Sequence, residues 1–409
     1  MAKQNKPAIR FKGFTDAWEQ RKLGDNIVEY TEVTTENNQY PPLTSSRKGI
    51  FLQTEYFAGN QIASDDNTGY NIVPYGYFTY RHMSDDEVFH FNINDIVEKG
   101  IVSTLYPVFT TDENLDSRYL QYQLNYGHEF AKFAILQKQG GSRTYMYLNK
   151  LRQLHLTMPN HVEEQKAISS FFMNLDHLIT LHQRKYDKLQ VLKKAMLEKM
   201  FPKNGSSVPE IRFKGFTDAW EQRKLSEMCG TFEYGLNAAA KEFDGKNKYI
   251  RITDIDDASR EFLLSDLSSP DICLDGMSKY LLSSGDIVFA RTGASVGKTY
   301  IYRENDGIVY FAGFLIRAKV NQDNDAEFVF QSTLSPSYEK YIRITSQRSG
   351  QPGVNAQEYG EYDLFAPSKE EQQRIGHFLR GIDSLITLHQ RELEKLQNIK
   401  KSMLEKMFV

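Results

Sequence analysis

The chain has 409 residues, which is too long for one small hydrophobic core and predicts two domains with connecting segments. Its hydrophobic content of 40% and charged content of 25% are typical of a folded, soluble protein, and its net charge of −3 gives no support for a nucleic-acid partner. Two cysteines cannot form a disulfide framework, and no apolar run approaches a membrane span, so we expect a cytoplasmic protein.

Charge is unevenly distributed along the chain. Residues 24–160 hold 10 basic against 16 acidic side chains, and residues 226–367 hold 14 against 21. A nucleic-acid partner would therefore have to be bound by local basic clusters rather than by a basic domain.

A short motif near the start is repeated in the middle of the chain. Residues Pro7–Leu23 read PAIRFKGFTDAWEQRKL, and Pro209–Leu225 repeat them with one difference. Asp16 and Asp218 are of the type that caps a helix, which predicts one or two helical turns through the following tryptophan. The alternative is that the aromatic side chains of the motif simply pack against the edge of a domain.

The block after each motif is rich in Tyr, Phe, Val, Ile and Thr and is interrupted by Gly, Asn, Asp and Pro. This composition predicts short strands, among them 77–80, 286–290 and 307–311. Two further segments, 117–133 and 326–341, are predicted to be helices packed on the sheets. Each block is therefore expected to form one mixed α/β domain.

Each block leads into a stretch with the pattern of one long helix. Glu163–Phe201 contains no proline or glycine, and its apolar residues recur at heptad spacing on one face. Glu370–Phe408 repeats the pattern, so we expect the two helices to bury their stripes against each other. The predicted interface residues are Ile168, Leu175, Leu178, His182, Leu189, Leu192 and Met196 in the first helix, and Ile375, Ile382, Leu385, His389, Leu396, Ile399 and Met403 in the second.

One histidine of each helix occupies the same heptad row. His182 and His389 are predicted to be internal polar positions that fix the register of the two helices. A pair of metal ligands or a pH switch are the alternatives, although no further ligands are evident. No metal site is predicted.

The chain is thus a tandem duplication, and its pattern resembles the specificity subunit of type I restriction-modification systems. The resemblance is carried by the repeated RFKGF motifs, by the EEQ-headed helices at Glu163 and Glu370, and by the entry into the first helix from Leu151 to Phe172. It implies an α+β fold in which two mixed α/β target recognition domains are separated by two long antiparallel helices with pseudo-twofold symmetry. The implied divisions are 1–160 and 203–367 for the recognition domains, and 161–202 and 368–409 for the helices.

The resemblance also implies a function and partners. Each recognition domain would read one half of a bipartite target in double-stranded DNA, and the helices would set the spacing and dock two methylation subunits. Restriction subunits would join the full complex. The chain itself would bind no cofactor, because S-adenosylmethionine, ATP and Mg²⁺ would be used by the partner subunits.

Candidate DNA contacts lie in glycine-containing loops at matching places in the two units. Their side chains include the types that bind guanine and adenine edges or phosphate, although a solvated loop is the alternative for each segment alone. The candidates in these loops are Lys138, Gln139, Ser142, Arg143 and Tyr145 in the first unit, and Gln347, Arg348, Ser349 and Gln351 in the second. Arg47, Lys48 and Arg81 are further candidates of the same sort elsewhere in the first unit.

The segment Gly293–Thr299 resembles a phosphate-binding loop but has three residues between its glycines instead of four. It lies between two strand-like runs with no helix after it, which predicts a glycine-rich hairpin. Arg291, Thr292 and Lys298 are then candidates to face DNA phosphates.

The sequence contains none of the motifs of adenine methylation and no convincing nuclease pattern, so the chain is expected to perform no chemistry itself. A structural adaptor that holds two protein-binding domains apart is the main alternative to DNA recognition. A nucleotide hydrolase that uses the glycine-rich segment is a third.

Overall fold

The computed structural model describes residues 6–60, 62–138, 143–203, 206–347 and 350–408. The chain divides into two compact units, Met1–Leu181 with Leu393–Val409 (unit 1) and His182–Glu392 (unit 2). Each unit contains a mixed α/β domain together with a part of each of two long helices. None of the helices described is both long and apolar enough to cross a membrane.

Unit 1 is built on short antiparallel strands and a few helices. Its strands are β1 (Glu19–Lys22), β2 (Ile27–Glu29), β3 (Leu43–Ser46), β4 (Gly49–Leu52), β5 (Asn71–Pro74), β6 (Phe78–Thr79), β7 (Met83–Ser84), β8 (Asn92–Ile93), β9 (Lys99–Val102), β10 (Val108–Thr111), β11 (Thr144–Tyr145) and β12 (His155–Met158). Its helices are α1 (Gln53–Tyr56), α2 (Ser117–Tyr126), α3 (His128–Leu136), α4 (Leu148–Leu151) and the first part of α5 (Val162–Lys199).

The main sheet of unit 1 has the strand order β2-β10-β6-β8. Phe78 and Phe109 stack across β6 and β10 with their ring centroids 4.6 Å apart, and both are fully buried. Tyr119 of α2 and Phe172 of α5 close the same core from the helical side. Alternation of aromatic and polar residues along the strands therefore directs the large rings towards the helices.

Unit 2 repeats this plan with different residues. Its strands are β13 (Glu221–Lys224), β14 (Cys229–Tyr234), β15 (Ala240–Glu242), β16 (Lys248–Ile250), β17 (Ser268–Pro270), β18 (Asp286–Ala290), β19 (Thr299–Ile301), β20 (Val309–Phe311), β21 (Leu315–Val320) and β22 (Asp363–Ala366). Its helices are α6 (Leu225–Met228), α7 (Ala326–Ser332), α8 (Pro336–Thr345), α9 (Ala356–Gly360) and most of α10 (Lys369–Met407). The main sheet has the order β14-β21-β18-β19.

The short repeated motif ends in a strand, and the helix predicted through its tryptophan is wrong. Residues Glu19–Lys22 pair with β12, and Glu221–Lys224 pair with β22 in the same register. The side chain of Arg10 also donates to the carbonyl oxygen of Asp16 at 2.6 Å, which closes residues 10–16 into a loop. Strand pairing satisfies the backbone donors that a helix would have used. The other interpretation, packing of the tryptophan into the domain, is correct, since Trp18 is buried.

The two predicted helices of the domains are each divided into two. Gly127 is extended between α2 and α3, and a Cβ atom there would lie 2.4 Å from the carbonyl oxygen of Gln123. In unit 2 the break precedes Pro336, and the side chain of Ser335 caps the new helix. Segments predicted as single helices from composition are therefore pairs of helices joined by sharp turns.

The two long helices run antiparallel where they meet inside each unit. In unit 1, Asp176 of α5 binds Lys400 of α10 at 2.6 Å, and Phe172 stacks on Phe408 with centroids 5.9 Å apart. In unit 2, Lys193 of α5 binds Asp383 of α10 at 2.5 Å. The predicted fold class, two mixed α/β domains with two long antiparallel helices, is thereby confirmed.

The predicted interface residues of the helices do not all lie in the cores. Those that are buried are Ile168, Leu175, Ile375 and Ile382, and those that pack against a core while partly buried are Leu189, Met196, Leu396, Ile399 and Met403. Three leucines instead keep 40–46% of their surface exposed: Leu178, Leu192 and Leu385. The apolar stripe is wider than the contact between the helices and leaves leucine side chains on the outside.

Candidate nucleic-acid interface

In unit 1, strand pairing brings two of the predicted DNA-contacting segments onto one surface. The pairing of β7 with β11 places Met83 opposite Tyr145, and the backbone N–H of Met146 donates to the carbonyl oxygen of His82 at 2.7 Å. Arg81 is exposed immediately before this pairing. The segments around Arg81 and Tyr145, which are far apart in sequence, therefore form one surface.

Aromatic rings form the floor of this surface. His82 stacks on Tyr147 with centroids 5.1 Å apart, and Tyr147 stacks on Tyr145 at 5.9 Å. Both tyrosines are exposed. A flat, exposed aromatic face beside an arginine is suited to contact with bases or with thymine methyl groups.

The other basic candidates of unit 1 are paired with an acidic run. Arg143 Nε lies 2.8 Å from Asp85 Oδ1, and this contact raises the pKa of Arg143. Lys138 binds Glu87, and Arg47 binds Asp86 and holds the pKa of that carboxyl well below its usual range. These three pairings with residues 85–87 were not predicted from the sequence, because the partners are distant along the chain. Because these pairs lie at the surface, solvent screens them and each carboxylate can be exchanged for a phosphate.

Lys48 lies exposed beside Arg47 in the turn between β3 and β4. Four further candidates, Gln139, Ser142, Arg348 and Ser349, lie outside the described residues.

In unit 2 the glycine-rich segment and the later candidate loop are also brought together. Thr292 pairs with Gly353, and the N–H of Val354 donates to the carbonyl oxygen of Arg291 at 2.9 Å. The N–H of Gly293 donates to Pro352 at 3.0 Å. Gln347 and Gln351 are exposed on this loop. The arrangement corresponds to that of unit 1. In both units the surface begins directly after the third strand in the order of the main sheet, which is β6 in unit 1 and β18 in unit 2.

Arg291 occupies a distinctive position on this surface. Its guanidinium carbon lies 5.2 Å from the ring centroid of Tyr234 and 5.6 Å from that of Phe314. Neither aromatic residue was predicted from the sequence, because their approach to Arg291 results from pairing between strands that are distant in the chain.

The glycine-rich segment itself is a hairpin, as predicted. β18 and β19 flank it and pair antiparallel, so no helix follows Thr299 to bind a phosphate group. Lys298 points instead to Asp257, with Nζ 2.5 Å from Oδ1. Both residues line a cleft of about 640 Å³ that Arg260 and Arg343 also border.

In each unit, a buried ion pair joins the RFKGF motif of the domain to the EEQ sequence at the start of the long helix. Arg10 donates to both carboxylate oxygens of Glu164 at 2.5 and 2.7 Å, and Arg212 does the same to Glu371 at 2.7 Å each. Both glutamates are buried, and the contact raises the pKa of each arginine. The bidentate geometry orients the start of the helix relative to the sheet.

The glutamine that follows each buried glutamate caps the neighbouring helix. The side chain of Gln165 accepts from the backbone N–H of Asp116, the N-cap of α2, at 2.8 Å. Gln372 accepts in the same way from Asp325, the N-cap of α7, at 3.0 Å. The EEQ sequence at the head of each long helix therefore serves to hold the domain and the helix in one geometry.

Comparison with known proteins agrees with this architecture. Residues 217–398 match the family model described as the type I restriction modification DNA specificity domain. The resemblance to type I specificity subunits is confirmed. The matched segment covers most of unit 2, including Arg291 and Glu371.

One relative in sequence and one solved structure are similar to the chain beyond this segment. The chain is 24% identical over 319 residues to the specificity subunit of the type I restriction enzyme MjaVIII from Methanocaldococcus jannaschii, covering 75% of this chain and 73% of the relative. The fold is shared with the S subunit of a type I restriction-modification system from M. genitalium, with a TM-score of 0.60 at 15% identity over 99% of both chains.

Proposed function

We propose that this chain is the DNA specificity subunit of a type I restriction-modification complex and that each mixed domain reads one half of a bipartite target. One observation carries the proposal. In each unit, basic and aromatic residues from segments that are distant in sequence come together directly after β6 or β18 of the main sheet. Two such surfaces, one in each copy of a duplicated plan, match a target with two halves.

The two half-sites should differ in sequence. The surface of unit 1 presents the exposed rings of Tyr145 and Tyr147, which pack against the buried ring of His82, whereas that of unit 2 presents Arg291 with Thr292. Different side chains bind different base edges, so the proposed target is asymmetric.

The long helices are proposed to set the spacing of the half-sites and to dock two methylation subunits. The exposed leucines Leu178, Leu192 and Leu385 supply apolar surface of the kind that a partner helix can cover. In this proposal the methylation subunits bring S-adenosylmethionine, and the restriction subunits of the full complex bring ATP and Mg²⁺. The chain itself would contribute recognition and no chemistry.

DNA binding by the chain alone should be weak and sensitive to salt. Both domains are acidic, and Arg47, Lys138, Arg143 and Lys298 each contact a carboxylate that a DNA phosphate would have to replace. Basic surfaces of the partner subunits would then supply much of the affinity.

The proposal is tested by mapping adenine methylation in cells that express this chain with its cognate methylation subunit. We expect one bipartite motif with a fixed gap, and no motif when the methylation subunit is expressed alone. A stable complex that methylates without dependence on base sequence, or not at all, would favour the structural adaptor. A motif without a gap would contradict the proposed role of the helices.

A further inference from the structure

We infer that Arg291 reads a guanine base in the half-site bound by unit 2. The inference rests on the proposed function and adds a base and a residue to it. It is carried by the geometry around the guanidinium group, which differs from that of the other basic candidates described above.

The main sheet of unit 2 places three side chains together at one edge. Tyr234 is the last residue of β14, Phe314 directly precedes β21, and Arg291 directly follows β18. These strands are neighbours in the order β14-β21-β18. The N–H of Arg291 donates to the carbonyl oxygen of Phe314 at 3.1 Å, which fixes the backbone of the arginine relative to the ring.

The two rings hold the guanidinium group in place without neutralising it. Tyr234 and Phe314 are 45% and 56% exposed, which is unusual for aromatic side chains that only fill a core. An arginine held against aromatic faces loses less side-chain entropy when it binds a ligand, and its positive charge is retained. The site is therefore organised for binding before DNA arrives.

Arg291 also lacks the carboxylate partner that other candidates have. Arg47, Arg143 and Lys298 each form an ion pair, whereas no ion pair joins Arg291 to any carboxylate in the described part of the chain. Its Nε atom is buried, and no described residue accepts a hydrogen bond from it. This leaves the two terminal nitrogens of the guanidinium, the donors that bind O6 and N7 of guanine together, to contact the base.

Neighbouring groups favour a base over an isolated phosphate as the ligand. Two exposed rings beside a guanidinium offer apolar contact to the bases next to a guanine, and they offer no hydrogen-bond donor to a phosphate apart from the tyrosine hydroxyl. That hydroxyl accepts from the backbone N–H of Ala356 at 3.3 Å. Thr292 and Gln351 lie on the same surface and are able to contact adjacent base pairs.

The test uses the assembled complex of this chain with its methylation subunit and duplexes that carry the mapped motif. Each guanine of the motif is replaced in turn by 7-deazaguanine, which lacks the N7 acceptor. We expect one position, in one half-site, at which the wild-type complex loses roughly tenfold in affinity, within the range for one bidentate pair. The complex with Arg291→Met should bind the modified and unmodified duplexes equally at that position.

The control is Lys319→Met, which removes a positive charge from the other end of β21 and should leave the sensitivity to 7-deazaguanine unchanged. If Arg291→Met remains as sensitive as the wild type, or if the wild type is insensitive at every guanine, the inference is wrong. Absence of any motif for the wild type would instead contradict the proposed function.

A second variant gives an independent readout in cells. Arg291→Gln should broaden the methylation motif at one guanine of one half and leave the other half unchanged. A uniform decrease in methylation with an unaltered motif would show that Arg291 contacts a phosphate, and this outcome would overturn the inference.

Discussion

Two buried glutamates, Glu164 and Glu371, organise the junction between each domain and its long helix. A buried carboxylate is unfavourable unless it is paired, and each of these accepts from Nε and Nη2 of one arginine. This requirement explains why the RFKGF motif and the EEQ sequence occur twice, although the blocks between them have diverged.

Removal of one arginine from this junction should strongly destabilise the fold. Arg212→Ala leaves Glu371 buried without its partner, and we expect the free energy of unfolding to fall by about 3 kcal/mol. Urea denaturation measures the change. Arg223→Ala removes an arginine from an exposed pair with Glu221 and should cost less than about 1 kcal/mol. Equal losses for the two variants would contradict a structural role for the buried pair.

The histidine pair of the long helices should make unit 2 sensitive to pH. Nδ1 of His389 lies 3.0 Å from Nδ1 of His182, and burial, followed by His182 and Lys185, lowers the pKa of His389. The unfolded chain therefore takes up this proton at a higher pH than the folded chain does. Stability should be highest above the unfolded pKa of about 6.5 and should decrease as pH falls through the lowered pKa of the folded state.

Thermal unfolding measured between pH 8 and pH 5 tests this dependence. His389→Gln should reduce the loss of stability at low pH, whereas His377→Gln, which replaces an exposed histidine of the same helix, should not. A wild-type stability that rises on acidification in this range, or a His389→Gln dependence identical to that of the wild type, would refute the assignment.

The long helices show the same Lys–Asp contact twice. The sequence offset of 207 residues that relates His182 to His389 also relates Asp176 to Asp383 and Lys193 to Lys400. Asp176 binds Lys400 in unit 1, and Lys193 binds Asp383 in unit 2. The same polar contact is therefore present in both copies, and it sets the register between the two helices.

Two glycines of α10 allow a sharp test of its packing. A Cβ atom at Gly376 would lie 2.5 Å from Asp325 Oδ1 and 2.9 Å from the N–H of Phe328, which are the two atoms of the α7 cap. At Gly381 a Cβ atom would meet nothing within 4 Å. Gly376→Ala should therefore destabilise unit 2 by about 1–3 kcal/mol, and Gly381→Ala should stabilise it by about 0.5–1 kcal/mol through helix propensity. Stabilisation by both substitutions, seen in urea denaturation, would show that α7 does not pack against Gly376 as described.

Elements that depend on local pattern could be predicted from the sequence, and those that depend on distant pairing could not. The long helices were predicted because their heptad pattern is continuous over the whole length. The strand after Trp18 was missed because its partner, β12, lies more than 130 residues away. The same limit applies to the candidate site. Arg291 could be chosen as a candidate because it is basic, but its proximity to Tyr234 and Phe314 depends on strand pairing and could not be predicted.

At the scale of the whole molecule, the proposed function requires the two recognition blocks to be independent. Each unit has its own main sheet, its own candidate surface and its own buried arginine–glutamate pair. Residues 226–367 lie between the two repeated parts of the second copy, so they can be exchanged while the motif and both long helices are retained. An exchange of this block should therefore change one half of the target and preserve the rest.

The most direct measurement is the methylation map of a chimaera in which residues 226–367 are replaced by the equivalent block of a related specificity subunit. We expect a motif in which one half is new, the other half is that of the parent, and the gap is unchanged. An unaltered motif, or a change in both halves at once, would contradict the claim that each block reads its own half of the DNA target.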